Sequence, residues 1–229
     1  MIEALSVGNV LELLAALLGV LGFLLSAILA YLSHFRAARI EILPGNRLQF
    51  YPAPSQGLNG VEFLGGVGFY LPVTIHNWSD RGGVLYKLRL VLAHEGATAS
   101  CYDMKWAEFA ELSTDERRWV SKRVAQALPI DGKSSRTEMI QFQWQPGGLE
   151  FEVLEGDYDV RVLAWTKPTL RPQVVFSTHT TLTSQQAANY VRAIELKKPL
   201  TIELLLGEDS EWTRSLTRQQ FRDNYGQSI

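Results

Sequence analysis

The chain has 229 residues, of which 46% are hydrophobic and 20% charged, a composition typical of a folded protein rather than a disordered one. Its net charge of −2 argues against broad nucleic-acid binding, which usually requires a basic surface. The only cysteine, Cys101, excludes an intrachain disulfide and favours a reducing compartment.

The first predicted element is a transmembrane helix over residues 10–33, after a short tail at residues 1–9. Residues 13–32 carry no charged side chain and are mostly apolar. Twenty helical residues span about 30 Å, the thickness of the hydrocarbon core of a bilayer. A cleaved signal peptide is the main alternative, but the preceding tail has no Lys or Arg and the apolar run is too long. A buried core helix is the other alternative.

The charges around this helix predict its orientation. Arg36 and Arg39 follow the helix, whereas no Lys or Arg precedes it. The positive-inside rule then places the N-terminus outside and the following domain in the cytoplasm. The sequence is therefore predicted to be a single-pass membrane protein with a cytoplasmic domain. In that location, the glycosylation sequon at residues 77–79 would not be modified.

One face of the predicted helix carries small residues and a carboxylate at a three-four spacing. Its members are Glu12, Ala15, Gly19, Gly22, Ser26, Ala30 and Ser33. In lipid, small residues let two helix backbones approach closely, so this small-residue stripe is predicted to contact another helix. The other helix belongs either to a second copy or to a different membrane protein. Glu12 is either an interfacial carboxylate or one of a ring of carboxylates in an oligomer.

Residues 34–207 are predicted to form a mainly β domain, because short runs alternate apolar and polar residues between turns. The runs cover residues 69–76, 87–92, 140–144, 149–153, 158–164, 174–181 and 200–206. Clean alternation indicates strands with one buried and one wet face, as in antiparallel sheets. Seven or eight such strands suggest a two-sheet sandwich.

Two local patterns favour an immunoglobulin-like version of this sandwich. The stretch at residues 154–162, with Gly156 and Tyr158, resembles the corner-tyrosine approach to a late strand of immunoglobulin-like domains. Residues 73–77, the Gly82-Gly83 turn and residues 88–90 resemble an earlier hairpin of such domains. The resemblance implies a fold and no chemistry. Pro72 departs from a central strand and predicts an edge or a bulge.

Two helical insertions are predicted within the β domain, at about residues 104–128 and 184–194. Each has a capping-box pair, Ser113 with Glu116 and Thr183 with Gln186. The first insertion carries a basic cluster of Arg117, Arg118, Lys122 and Arg123. This cluster is interpreted either as a solvated face or as a contact with anionic lipid or an acidic partner.

Residues 208–229 are predicted to form a C-terminal amphipathic tail. Arg214, Arg218 and Arg222 recur at four-residue steps, and Trp212 begins a second, apolar face. Such a helix could pack on its own domain, on a partner or on the membrane surface. The contact residues predicted from this segment are Trp212, Arg214, Arg218 and Arg222.

The sequence contains no recognisable catalytic or metal-binding pattern. Its four histidines are scattered without metal-ligand spacing. The glycines at residues 65–68 suggest a hairpin loop, and they do not open into a helix with Lys and Ser as a phosphate loop would. No nucleophile elbow is present. We therefore predict a protein that is not an enzyme and has no metal and no cofactor.

The leading functional hypothesis is a membrane-tethered, non-enzymatic binding or assembly module, a subunit of a membrane complex. Its predicted partners are membrane lipid and either another copy or another membrane protein, with no nucleic acid. The second hypothesis rests on layout alone: a short membrane segment before a cytoplasmic β sensor resembles effectors of bacterial antiviral systems. That resemblance implies an oligomerising effector whose helices perturb the membrane. A hydrolase or transferase is the third.

Overall fold

The computed structural model describes residues 7–35, 38–56, 62–95, 101–113, 118–144, 151–196 and 200–207. Its elements are α1 (Val7–Phe35), β1 (Ile40–Pro44), β2 (Arg47–Gln56), β3 (Glu62–Asn77), β4 (Gly83–Leu85), β5 (Lys87–His94), β6 (Cys101–Ser113), β7 (Arg118–Val124), β8 (Leu128–Ile130), β9 (Ser134–Trp144), β10 (Gly156–Trp165), β11 (Val174–Leu182), α2 (Ser184–Glu195) and β12 (Ile202–Leu205). The predicted tail at 208–229 lies outside the described residues, as do residues 1–6 of the N-terminal tail.

Ten strands form one antiparallel sheet in the order β11-β10-β5-β6-β9-β3-β2-β12, with β1 added on β3 and β7 on β6. The two ends of this order approach each other. The backbone N–H of Gly207 donates to His179 O in β11 at 2.8 Å, and Thr180 Oγ1 donates to Leu205 O in β12 at 2.6 Å. The sheet is therefore a nearly closed barrel. The mainly β prediction is confirmed, whereas an immunoglobulin-like two-sheet sandwich is not shown.

β3, with 16 residues, is the longest strand among the described residues. It pairs with β9 on one side, and with β2 and then β1 on the other. Pro72 lies where the partner changes, after the last β2 pair at Tyr70 and before the first β1 pair at Val73. Its carbonyl accepts from Gly45 N at 2.7 Å on that same side. The missing N–H of Pro72 therefore faces a gap in the ladder, so a proline is tolerated in a central strand.

Alternation along the strands fills the barrel interior. Phe69, Leu71 and Ile75 of β3 point inward and are at most 1% exposed, as are Ile140 and Phe142 of the paired β9. Burying side chains of this size contributes roughly 1.5–3 kcal/mol each. The interior is therefore a packed core and supplies the main driving force for folding.

The predicted corner tyrosine has the expected local geometry. Tyr158 Oη donates to Leu154 O at 2.8 Å and accepts from Leu154 N at 3.0 Å. Tyr158 is 4% exposed, and burial raises the pKa of its hydroxyl above the ordinary value. This motif closes the turn that precedes β10.

The helical insertion predicted at 104–128 is wrong, because the described part of this segment is strand. β6 pairs with β5 and β9, and β7 pairs with β6 over residues 108–113. Tyr102, Met104 and Trp106 of β6 are buried and alternate with exposed residues, which is the period of a strand. Ser113 is the last residue of β6, and its proposed capping partner Glu116 lies outside the described residues. Sheet pairing on both sides outweighs the local helical pattern.

The second predicted insertion is a helix. α2 begins after Thr183, whose side chain accepts from the backbone N–H of Gln186 while the Gln186 side chain accepts from Thr183 N. Tyr190 of α2 packs against Phe50 of β2, with ring centroids 5.6 Å apart. The capping box therefore holds a helix whose apolar face covers the barrel.

Two smaller predictions are corrected. Residues 151–153 are not in a strand, and Phe151 instead packs its ring against Phe69 and Tyr102 at centroid distances of 5.5 and 4.4 Å. Residues 65–68 lie within β3 instead of forming a hairpin loop. Gly68 is required there because a Cβ would lie 2.5 Å from the ring of Tyr51. The alternation at residues 149–153 and the glycines at residues 65–68 are each compatible with more than one local structure, and tertiary packing decides between them.

The chain enters the barrel at the end where β1 begins. Ile40 pairs with Asn77, the last residue of β3, and Asn77 also pairs with Ser134, the first residue of β9. β4 links β3 to β5, whose first residue pairs with Trp165, the last of β10. The turns at residues 78–82, 131–133 and 166–173 therefore lie at one end, here named the helix-side end. α2 follows β11 at the opposite end.

Candidate functional site

α1 has the length and composition of a membrane span. Residues 11–31 are apolar enough to cross a membrane and are 0% buried against the rest of the described chain. Twenty-one helical residues extend about 31 Å. Large side chains along the helix are exposed, with values from 51% for Leu14 to 72% for Phe23. α1 is therefore compatible with a membrane anchor.

The small-residue stripe runs along one side of α1, because the helix continues unbroken through all seven of its positions. A Cβ added to Gly19 or Gly22 would meet nothing within 4 Å. These glycines are therefore not required by packing within the described chain. The helix–helix contact predicted for Glu12, Ala15, Gly19, Gly22, Ser26, Ala30 and Ser33 stays a prediction.

The predicted basic cluster lies on a strand instead of a helix. Lys122 and Arg123 belong to β7, and both side chains approach the carboxylate of Glu138 on β9. Arg118 begins this strand, and Arg117 lies outside the described residues. Arg123 donates from Nη2 to Glu138 Oε1 at 3.1 Å and stacks over the Phe109 ring at 3.7 Å. Arg123 therefore packs against the core, unlike a residue on a solvated helical face.

Glu138 is the centre of this basic site, and sequence reasoning missed it. The carboxylate is 6% exposed and accepts from Arg136 Nε at 2.7 Å and from Arg123, while Lys122 Nζ lies 4.0 Å away. Three cations and one carboxylate leave a net positive site. Glu138 has the same inward parity as Ile140 and Phe142, and a buried carboxylate requires cationic partners. The alternation of β9 in the sequence could therefore have predicted that Glu138 is buried.

Asn77, the first residue of the sequon, has a structural role. Its side chain is 0% exposed and donates from Nδ2 to Arg81 O at 2.6 Å and to Asp131 O at 3.0 Å. Its Oδ1 accepts from the backbone N–H and the hydroxyl of Ser79. The amide that a glycan would occupy is therefore buried and bonded, and it joins two turns of the helix-side end.

An aromatic and polar cluster covers the outer face of β2, β3 and β9. The hydroxyls of Tyr51 and Tyr70 lie 3.1 Å apart, and Gln141 Nε2 donates to Tyr51 Oη at 2.9 Å. Trp119 of β7 donates from Nε1 to Gln49 Oε1 at 2.7 Å, so the β6–β7 hairpin reaches as far as β2. Burial raises the pKa of Tyr51 far above its ordinary value. The hydroxyl therefore stays protonated, and the cluster holds the hairpin in place.

The described residues do not assemble a metal site. No group of three His, Cys, Asp or Glu in the described ranges could hold a metal ion. His76 packs on the Trp78 ring at a centroid distance of 4.0 Å, and His94 packs on Tyr158 at 4.9 Å. An apolar cavity beneath the corner tyrosine is lined by Phe50, Phe69 and Leu204 among others. Its Thr180 hydroxyl is already bonded to Leu205 O.

The predicted tail contacts, Trp212, Arg214, Arg218 and Arg222, all lie outside the described residues.

Comparison with known proteins does not assign a family. No family model matches the chain, and no curated protein matches it. One solved structure with a detected likeness is Spo0M, a sporulation control protein from Bacillus subtilis. It is 13% identical, and the match covers 70% of this chain and 56% of that chain with a TM-score of 0.28. The superposition is too poor to carry an argument about function.

Proposed function

We propose that this chain is a membrane-tethered, non-enzymatic binding module and a subunit of a membrane complex. The observation that supports it is the fully exposed apolar surface of α1, which carries a stripe of small residues on one side. An apolar surface of that size requires lipid around it. The stripe offers little apolar area to lipid but allows a second helix to approach closely. The barrel then presents its outer surface to a partner.

Disulfide cross-linking in the native membrane tests the proposed helix contact. Ser26→Cys in the stripe and Leu24→Cys on the opposite face are made in a Cys101→Ser background, so that each chain has one thiol. If the complex contains two copies, Ser26→Cys forms a covalent dimer on oxidation and Leu24→Cys does not. If a different membrane protein is the partner, native mass spectrometry of the extracted parent shows a defined hetero-complex. A monomer by both methods overturns the proposal.

Glu12 supports a second candidate, an oligomerising membrane effector. It lies on the stripe near one end of α1 and is exposed. In an oligomer packed through the stripe, these carboxylates would form a ring at the membrane boundary. Expression of the parent would then be toxic, and Glu12→Leu would abolish that toxicity. A tether gives the same cell growth with either residue, so this comparison separates the two candidates.

We propose that the barrel is cytoplasmic, supported by Arg36 and Arg39 after the helix. Cys101 is exposed and serves as a natural reporter of the side.

A further inference from the structure

The helix-side end of the barrel exposes large apolar side chains beside cations. Leu170 is 98% exposed, Trp78 57% and Tyr86 44%. Exposed apolar residues are ordinary one by one, so what marks a contact surface here is the way these side chains are held and the cations beside them. The turns between them carry Arg81, Lys133, Lys167 and Arg171 against Asp80 and Asp131.

Leu170 is held outward by a braced turn. The Gln173 side chain accepts from the backbone N–H groups of Thr166 and Lys167 at 3.0 and 3.1 Å and donates to Thr169 Oγ1 at 2.6 Å. Trp165 Nε1 donates to Leu170 O at 3.2 Å. The turn is therefore rigid enough to present a leucine to the outside at little entropic cost.

Trp78 is fixed in a comparable way. Its Nε1 donates to Glu41 Oε2 at 2.5 Å, its ring packs on His76, and its backbone N–H donates to Arg39 O at 3.0 Å. Trp and Tyr are the residues that favour the boundary between water and lipid, because their rings combine an apolar body with a polar edge. A tryptophan held this way suits that boundary.

The chain itself brings this end close to the membrane. Ala38 contacts the helix-side end, since a Cβ on Gly83 would lie 2.7 Å from the Ala38 Cβ. Two residues separate Phe35, the last of α1, from Ala38, so the three Cα–Cα steps between them span at most about 11 Å. If α1 crosses the bilayer, the turns around Ala38 cannot be far from the headgroups.

We propose that the helix-side end of the barrel docks on the surface of the membrane that α1 spans, and that its lipid partner is anionic. This inference rests on the proposed membrane tether. Leu170 and Trp78 reach the boundary between headgroups and acyl chains. Lys167, Arg171 and Arg81 contact the anionic headgroups. The opposite end, where Glu95, Glu152, Glu155 and Asp157 surround the start of β10, faces away from the bilayer.

The test uses the full chain in nanodiscs that hold one copy each, so that no second copy can cover the surface. An environment-sensitive NBD fluorophore is attached to Leu170→Cys in a Cys101→Ser background. The same label on Glu155→Cys, at the opposite end, is the matched control. In discs with 30% phosphatidylglycerol, we expect the emission of the Leu170 label to shift to the blue and that of the Glu155 label to stay as in water.

Removing charge should release the docked state. Each basic residue near an anionic surface contributes about 1 kcal/mol, so Lys167→Gln with Arg171→Gln lowers the docked-to-undocked ratio about 30-fold. The matched double variant Lys105→Gln with Arg192→Gln, away from this end, leaves the ratio unchanged. Raising the salt concentration should have the same effect as the first double variant.

Each alternative outcome overturns one specific part of the reasoning. Water-like emission at position 170 in anionic discs that retain the protein overturns the docking and leaves the tether standing. An equal blue shift in pure phosphatidylcholine discs or in detergent means an apolar or protein contact and overturns the anionic partner. Failure of the parent to enter discs or to float with liposomes overturns the proposed tether itself.

Discussion

Tyr158→Phe removes one oxygen atom and tests whether the corner tyrosine stabilises the barrel. The hydroxyl donates to Leu154 O at 2.8 Å and accepts from Leu154 N at 3.0 Å. Each hydrogen bond contributes roughly 0.5–1.5 kcal/mol, and Leu154 is 40% exposed, so water can replace part of the loss. We expect the free energy of unfolding to fall by about 1.5 kcal/mol. For a domain of this size that corresponds to a melting temperature lower by about 3–6 °C.

Tyr190→Phe is the matched control. Tyr190 is also 4% exposed and its ring packs on Phe50, but the structure shows no hydrogen bond from its hydroxyl within the described residues. We expect its removal to change the free energy of unfolding by less than about 0.5 kcal/mol. Urea unfolding of the full chain in detergent micelles, followed by tryptophan fluorescence, measures both. Equal losses in the two variants, or no loss in Tyr158→Phe, would refute the reasoning.

Three further predictions follow from the described contacts. Glu138→Gln should lower the free energy of unfolding by about 1–2 kcal/mol, because two arginines lose charge-assisted hydrogen bonds, whereas Lys122→Gln, 46% exposed, should have almost no effect in the same denaturation assay. Stability should fall as the pH rises from 10 towards 12, because burial raises the pKa of Tyr190 to about 12 and the folded state therefore keeps a proton that the unfolded chain releases; Tyr190→Phe should flatten that decline in urea midpoints measured against pH. A membrane-impermeant maleimide should label Cys101 only after cells are permeabilised, and labelling of intact cells would place the barrel outside.

Most of the strands with strict alternation were predictable from sequence, although the alternating residues 151–153 are not in a strand. Leu88, Leu90 and Leu92 lie inward on β5, and Val160 and Val162 lie inward on β10. The capping box at Thr183 and Gln186 identified α2 because it supplies hydrogen bonds that no strand would use. The residues within each of these short segments determine its secondary structure, so a local sequence pattern was sufficient to predict it.

Other elements depend on contacts that no short window contains. β6 was mistaken for a helix because residues 104–128 mix a strand alternation with a capping pattern, and pairing with β5 and β9 decides between them. The role of the predicted basic cluster depends on strand pairing too, because Lys122 and Arg123 of β7 both approach Glu138 of β9. No local pattern predicts the roles of Arg136 and Trp78, because these roles depend on the contact with Glu138 and on the position of α1.

The seam between β11 and β12 has a consequence for synthesis. β12 pairs with β2, about 150 residues earlier in the chain, and the residues after it close the barrel through Gly207. α1 precedes the barrel in the chain, so the membrane segment can insert long before this seam can form. Until β12 emerges, the edges of β2 and β11 both lack their partner, and such edges invite pairing with other chains. Truncation just before Ile202 is therefore expected to yield an aggregating nascent protein.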